Sequence, residues 1–244
     1  HFGSSNLGSS SISSDKSSIS RAELSQSHSM ARFASLLMLA CAPARVAADI
    51  LLASFDGKAT HSWKQMNDPV MGGKSTGTFN VENGLGIFDG EVVDVPFLKA
   101  PGFIKASVVD MSLFSAIFPD ISSCKSISLE VKSDSDYKGY RFSIGNAHAP
   151  GGKFFAYGYK SNFDAGKVGE WNTVTLPLSG FSDFWDDATG EAIKTCQENK
   201  IYCPDAKTLK DMRTMGFWAE GVAGKVHLEI KSVKATECAP DMVV

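Results

Sequence analysis

Between positions 126 and 132 the chain reads Ser126-Ile127-Ser128-Leu129-Glu130-Val131-Lys132, with polar and apolar residues in strict alternation. A period of two puts every apolar residue on one side of an extended strand, whereas a helix would scatter them around its axis. Tyr140-Arg141-Phe142-Ser143-Ile144 repeats the pattern. Both segments predict half-buried antiparallel strands. Strand-like runs recur along the chain: Ile50 to Phe55, Thr76 to Val81, Leu85 to Val93, Phe103 to Val109, Phe154 to Tyr159, Trp171 to Leu176, Met215 to Ala219 and Val226 to Val233. Turn residues stand between them, with Asn83-Gly84 at hairpin distance between two runs. About ten strands with frequent turns predict an all-β fold, a jelly-roll β-sandwich. One short helix is expected, from Pro204 to Arg213, with Pro and Asp in its first turn and Gly216 beyond its end. The 16 Phe and 4 Trp residues supply enough bulk for one core of that size.

The stretch Asp68-Pro69-Val70-Met71-Gly72-Gly73-Lys74-Ser75-Thr76-Gly77 ends like a phosphate-binding loop. Such a loop needs a first glycine five residues before the glycine of Gly-Lys-Ser. Asp68 stands there instead and would repel a phosphate. The loop should also follow an apolar strand and open a helix. Here His61 to Asn67 is mixed and polar, and Thr76 to Val81 reads as a strand. The alternative is a tight turn entering a strand. Asn-Asp-Pro starts that turn, and Gly72-Gly73 permits positive φ or close backbone contact.

Residues 1–29 are rich in Ser with little to bury, and are expected to be disordered. Met30-Ala31-Arg32, an apolar run from Phe33 to Ala42, and Val46-Ala47-Ala48 then form a signal-peptide pattern. The run is too short for a permanent membrane span. Cleavage after Ala48 would leave a domain over 49–238 and a tail over 239–244. The expected address is the secretory pathway, the extracellular space or an organelle lumen, with the mitochondrion as the alternative. The formal net charge is −3, loss of the leader makes it more negative, and there is no long basic run. Nucleic acid and anionic membrane surfaces are therefore not expected as partners.

Of the 5 cysteines, Cys41 lies in the signal-like segment. Cys124, Cys196, Cys203 and Cys238 remain, an even set that suits an oxidising compartment. Cys196 and Cys203 could tie a loop at its base, and the strands ending at Cys124 and Cys238 could bring those two together. Four free thiols in a reducing compartment stay open. A zinc site built from all four lacks any Cys-x-x-Cys pair.

Catalytic patterns are missing: there is no Gly-x-Ser-x-Gly elbow and no His-Glu-x-x-His. The histidines after the leader are His61, His148 and His227, and a structural role suits His227, which lies between Val226 and Leu228 on a strand. No catalytic residue, metal or cofactor is expected. Asp183, Asp186 and Asp187 cluster around Trp185, with Glu191 nearby. They could form a sugar platform, an aromatic face with acceptors around it. The competing reading is a solvated acidic loop anchored by buried aromatics.

Trp63-Lys64-Gln65-Met66-Asn67-Asp68-Pro69-Val70-Met71-Gly72-Gly73-Lys74-Ser75 resembles the signature of the complex I intermediate-associated protein 30 family. The family pattern is a Trp, a short gap, then Asn-Asp-x-Val-Met-Gly-Gly-x-Ser. Phe88-Asp89-Gly90, Gly102-Phe103, the segment from Trp171 to Phe181, and Gly224 to Ile230 resemble later family landmarks in the same order. The resemblance covers about residues 50 to 235 and implies a galactose-binding-domain-like jelly roll. It also implies a non-catalytic domain that assists assembly of a membrane protein complex, complex I-type or photosynthetic, with subunits of that complex as partners. On this reading Gly72 and Gly73 shape a turn, and Asn67 and Asp68 close it or bind a partner. A lumenal carbohydrate-binding module is the alternative. Three departures stand out: no Arg follows Gly102-Phe103 at the family's place, Lys194 to Pro204 carries an extra cysteine loop, and the signal is of secretory type.

Overall fold

The computed structural model describes residues 48–68, 72–109, 118–146, 158–186 and 189–239. The Ser-rich leader, the signal-like segment with Cys41, Met71, His148, Phe154 to Tyr157 and Asp187 lie outside them. The described chain forms two large antiparallel sheets, one two-stranded pair and one α-helix of five residues. In chain order the strands are β1 (Ile50–Ser54), β2 (Lys64–Asn67), β3 (Thr76–Glu82), β4 (Leu85–Val92), β5 (Asp94–Val95), β6 (Ala100–Pro101) and β7 (Phe103–Val109). They continue as β8 (Ser126–Ser133), β9 (Tyr140–Gly145), β10 (Tyr159–Asn162), β11 (Asn172–Pro177), β12 (Thr214–Glu220) and β13 (Gly224–Thr236), with α1 at Ala206–Lys210 before β12.

One sheet runs β11-β8-β13-β4-β3, with β1 also paired to β13. The other runs β10-β9-β12-β7-β2. β5 and β6 make a small separate pair. The apolar side chains of the central strands point into one shared core. Ile127, Leu129 and Val131 of β8 and Val226, Leu228 and Ile230 of β13 meet Phe142 and Ile144 of β9 and Met215 and Phe217 of β12 there. The fold is the jelly-roll β-sandwich that the alternation predicts.

The differences from expectation have local causes. Lys64–Asn67 is a strand on the edge of its sheet, pairing with β7 alone. Its first three side chains are exposed, so no apolar pattern marks it. The helix is shorter than Pro204 to Arg213. Asp205 caps it by accepting from the Thr208 amide at 2.8 Å, and Asp211 leaves helical geometry. In β9 every residue is buried, not every second one, because the opposite side of its sheet is covered too. Asn83 and Gly84 both have positive φ, 51° and 77°, as a tight hairpin between β3 and β4 requires.

Disulfides join Cys124 to Cys238 and Cys196 to Cys203. The first links the approach to β8 with the segment just past the end of β13. The second closes the loop ahead of α1.

Candidate functional site

The signature segment forms an internal clasp. Asp68 is buried, at 3% exposure. Its carboxylate accepts the Ser75 amide at 2.8 Å and the Ser75 hydroxyl at 2.6 Å, and its backbone carbonyl accepts the Gly73 amide at 3.1 Å. Ser75 Oγ in turn accepts the Val93 amide at 3.0 Å, which fixes the end of β4 to the loop. The carboxylate lies between two glycines. A Cβ on Gly73 would stand 2.2 Å from Asp68 Cγ, and one on Gly102 would stand 1.5 Å from Oδ2. Gly72 carries the positive φ, 84°, while Gly73 is needed for the close approach. The Gly73 and Ser75 amides and the Ser75 hydroxyl are taken by Asp68 itself, which argues against the phosphate-loop reading.

Asn67 extends the clasp by donating to the Gly77 carbonyl at 3.0 Å. Trp63 stacks on Phe79 at 4.9 Å and reaches Phe55 and Phe217, so it ties β2 and β3 to the core. Trp63 Nε1 and Asn67 Oδ1 are buried without a hydrogen-bond partner among the described residues.

Beside the clasp stands an apolar tip. β5 and β6 are joined by Pro96-Phe97-Leu98-Lys99, and the Leu98 and Lys99 amides both donate to the Val95 carbonyl at 3.0 Å. This tight turn presents Phe97 at 67% and Leu98 at 47% exposure. The Phe97 ring lies 3.9 Å from where a Gly72 Cβ would be, so tip and signature loop are neighbours.

The acidic aromatic segment does not form an open platform. Trp185 is buried at 4%, donates Nε1 to the Gly158 carbonyl at 3.2 Å, and carries the Lys160 ammonium 3.4 Å from its ring centroid. Asp183 is fully buried. Asp186 accepts the amide and hydroxyl of Thr189 at 2.8 and 3.0 Å, closing a local turn. The indole is the inner side of this loop, packed down onto the five-stranded sheet.

Beneath the loop lies a buried charged layer that the sequence reading missed. Arg141, Lys160 and Glu220 project from β9, β10 and β12 on the side away from the core. Arg141 donates to the Gly190 carbonyl at 3.0 Å and to Glu191 at 2.9 Å. Lys160 donates to Glu220 at 2.5 Å. Lys105 lies 4.5 Å from the Trp218 ring centroid. Burial, then the positive charge of Lys160, pulls its ammonium down to about 8.

On the six-stranded sheet the polar side is open. Trp171, 41% exposed, lies 5.8 Å from Lys132 and 5.7 Å from Lys231. Across the middle of that side, His227 Nδ1 meets Asp89 at 2.5 Å. Burial opposes charge on the imidazole, but Asp89, Asp134 and Glu229 together raise its pKa above the ordinary histidine value. His61, the other described histidine, bonds the Leu52 carbonyl at 2.7 Å.

Fold and sites together define a jelly-roll domain in which Asp68 and Ser75 of the best-marked sequence motif are bonded to each other. The profile of the complex I intermediate-associated protein 30 family matches residues 53–230, and the chain belongs to that family. Among curated proteins no relative matches. Two of the solved structures that this chain resembles in fold are carbohydrate-binding modules. One is a family 11 carbohydrate-binding module from Clostridium thermocellum in complex with a β-1,3-1,4-mixed-linked tetrasaccharide. It has a TM-score of 0.50 and 15% identity, over 80% of this chain and 99% of that one. The other is the family 11 module of a cellulosomal cellulase from the same organism, with a TM-score of 0.50 and 15% identity, over 81% of this chain and 98% of that one. At such identity the likeness is one of fold.

Proposed function

We propose that this domain is a non-catalytic binding module that holds a protein partner during assembly of a membrane complex, complex I-type or photosynthetic. The family supports an assembly-related role. The observation that carries the binding surface is the exposed Phe97-Leu98 tip beside the signature loop. A rigid turn holding two large apolar side chains in water has no folding benefit and suits docking against an apolar partner surface. The signal pattern and the two disulfides support a lumenal or extracellular address over the mitochondrial alternative. No helix among the described residues is long and apolar enough to cross a membrane. The experiment is co-fractionation with subunits of the assembling complex on native gels. Phe97→Ser combined with Leu98→Ser should keep the melting temperature and lose co-migration. Unchanged co-migration would remove the tip from the binding surface.

Carbohydrate binding is the second reading. Trp185, buried under Lys160, does not serve it, but the exposed Trp171 with Lys132 and Lys231 beside it offers an aromatic face. Retardation of the wild type in polysaccharide gels, lost on Trp171→Ala, would establish that reading. Equal mobility with and without polysaccharide would close it.

A further inference from the structure

We propose that His227, Asp134 and Glu229 bind a divalent transition-metal ion, with zinc the ion to test. The register of β13 against its two neighbours builds the site. His227 lies opposite Asp89 on β4, and Glu229 lies opposite Lys132 on β8. Asp134 is the first residue after β8. One donor atom from each of His227, Asp134 and Glu229 falls within 4.8 Å of the others.

His227 Nε2 is 3.5 Å from Asp134 Oδ2 and 3.6 Å from Glu229 Oε1. Both separations are too long for good hydrogen bonds. They match the spacing of two ligands on one ion. Donors at ~2.1 Å from a tetrahedral zinc stand ~3.4 Å apart. Nε2 is also shut off from solvent and, among the described residues, has no hydrogen-bond partner, only these two long carboxylate contacts, which a metal would bridge.

The imidazole is already oriented for this task. Asp89 can only accept, so the 2.5 Å contact places a proton on Nδ1, and in the neutral imidazole the Nε2 lone pair then faces the gap. A carboxylate behind a metal-binding histidine both fixes the tautomer and raises ligand basicity. One imidazole nitrogen and two carboxylate oxygens suit zinc and its first-row neighbours better than calcium or magnesium. Water completes the coordination. Lys132 is the built-in competitor, since its ammonium holds Glu229 Oε1 at 2.7 Å. The metal displaces that ammonium toward the exposed Trp171 ring nearby.

The test is titration of chelator-stripped, disulfide-intact protein with zinc by calorimetry, and with cobalt by visible absorption. One equivalent should bind, with a d–d band of low-coordinate cobalt and a rise in melting temperature. His227→Gln and Asp134→Asn should each weaken binding by more than about tenfold. Asp134 is a solvent-exposed loop residue, so that variant keeps the fold even if His227→Gln does not. Lys132→Met should tighten binding. Absence of saturable binding by the wild type, or an affinity unmoved by Asp134→Asn, would overturn the proposal.

Discussion

Asp68 shows how a motif can be conspicuous in sequence and silent in chemistry. Its carboxylate accepts two bonds from Ser75 and presses on Gly73 and Gly102. Asp68→Ala strands the Ser75 amide and hydroxyl in a buried place and should cost about 1–3 kcal/mol. Gly73→Val drives a side chain into the carboxylate and should cost at least as much, although Gly73 itself lacks a positive φ. Urea unfolding measures both. ATP should give no thermal shift, because the Gly73 and Ser75 amides already bond Asp68. Lys105 gives a prediction in pH. Its folded pKa is about 8 against 10.5 for the free side chain. Between those values the unfolded chain binds more protons, so the group's contribution to stability rises with pH across the window. The penalty is complete below about pH 8 and gone above 10.5. Lys105→Met should flatten that part of the curve, read by denaturant midpoints from pH 7 upward. A wild-type curve already flat there would contradict the burial argument.

At the level of elements, period-two alternation revealed β8 and β9, and the Asn83-Gly84 turn revealed the hairpin of β3 and β4. The short edge strand β2 left no such mark, since its first three side chains face water. The charged layer of Arg141, Lys160 and Glu220 was hidden for a different reason. Alternation says which side faces the core, not whether a distant segment covers the other side. Gly190 and Glu191 come 49 and 50 residues after Arg141, and no local pattern announces that contact. The same limit hid the His227 cluster, where Asp89 is 138 residues away. Trp185 was legible as an anchor or as a platform, and only the fold decides between them. The disulfides act on this scale as well. Cys124–Cys238 spans 114 residues and Cys196–Cys203 spans 7. Loop-closure entropy assigns about 5 kcal/mol to the first and about 2 to the second. Replacing the Cys124–Cys238 pair by Ser should therefore lower the denaturation midpoint more than replacing Cys196–Cys203. The reverse order would place the stabilisation in the loop before α1 instead.

For the whole molecule, the sandwich buries Asp68 and Ser75 of its family motif and exposes an apolar tip beside that loop, so the binding reading rests on what the tip touches. A photo-crosslinking amino acid in place of Phe97, and a second one in place of Val81 as a control, tests this directly in protein expressed in its native compartment. Val81 is exposed at 54% on β3 opposite Gly86, beside the β3–β4 hairpin turn and at the other end of β3 from the signature loop. The account predicts a discrete cross-link from position 97 to a subunit of the membrane complex under assembly, and none from position 81. Equal labelling from both positions, or no adduct with any subunit from position 97, would contradict it.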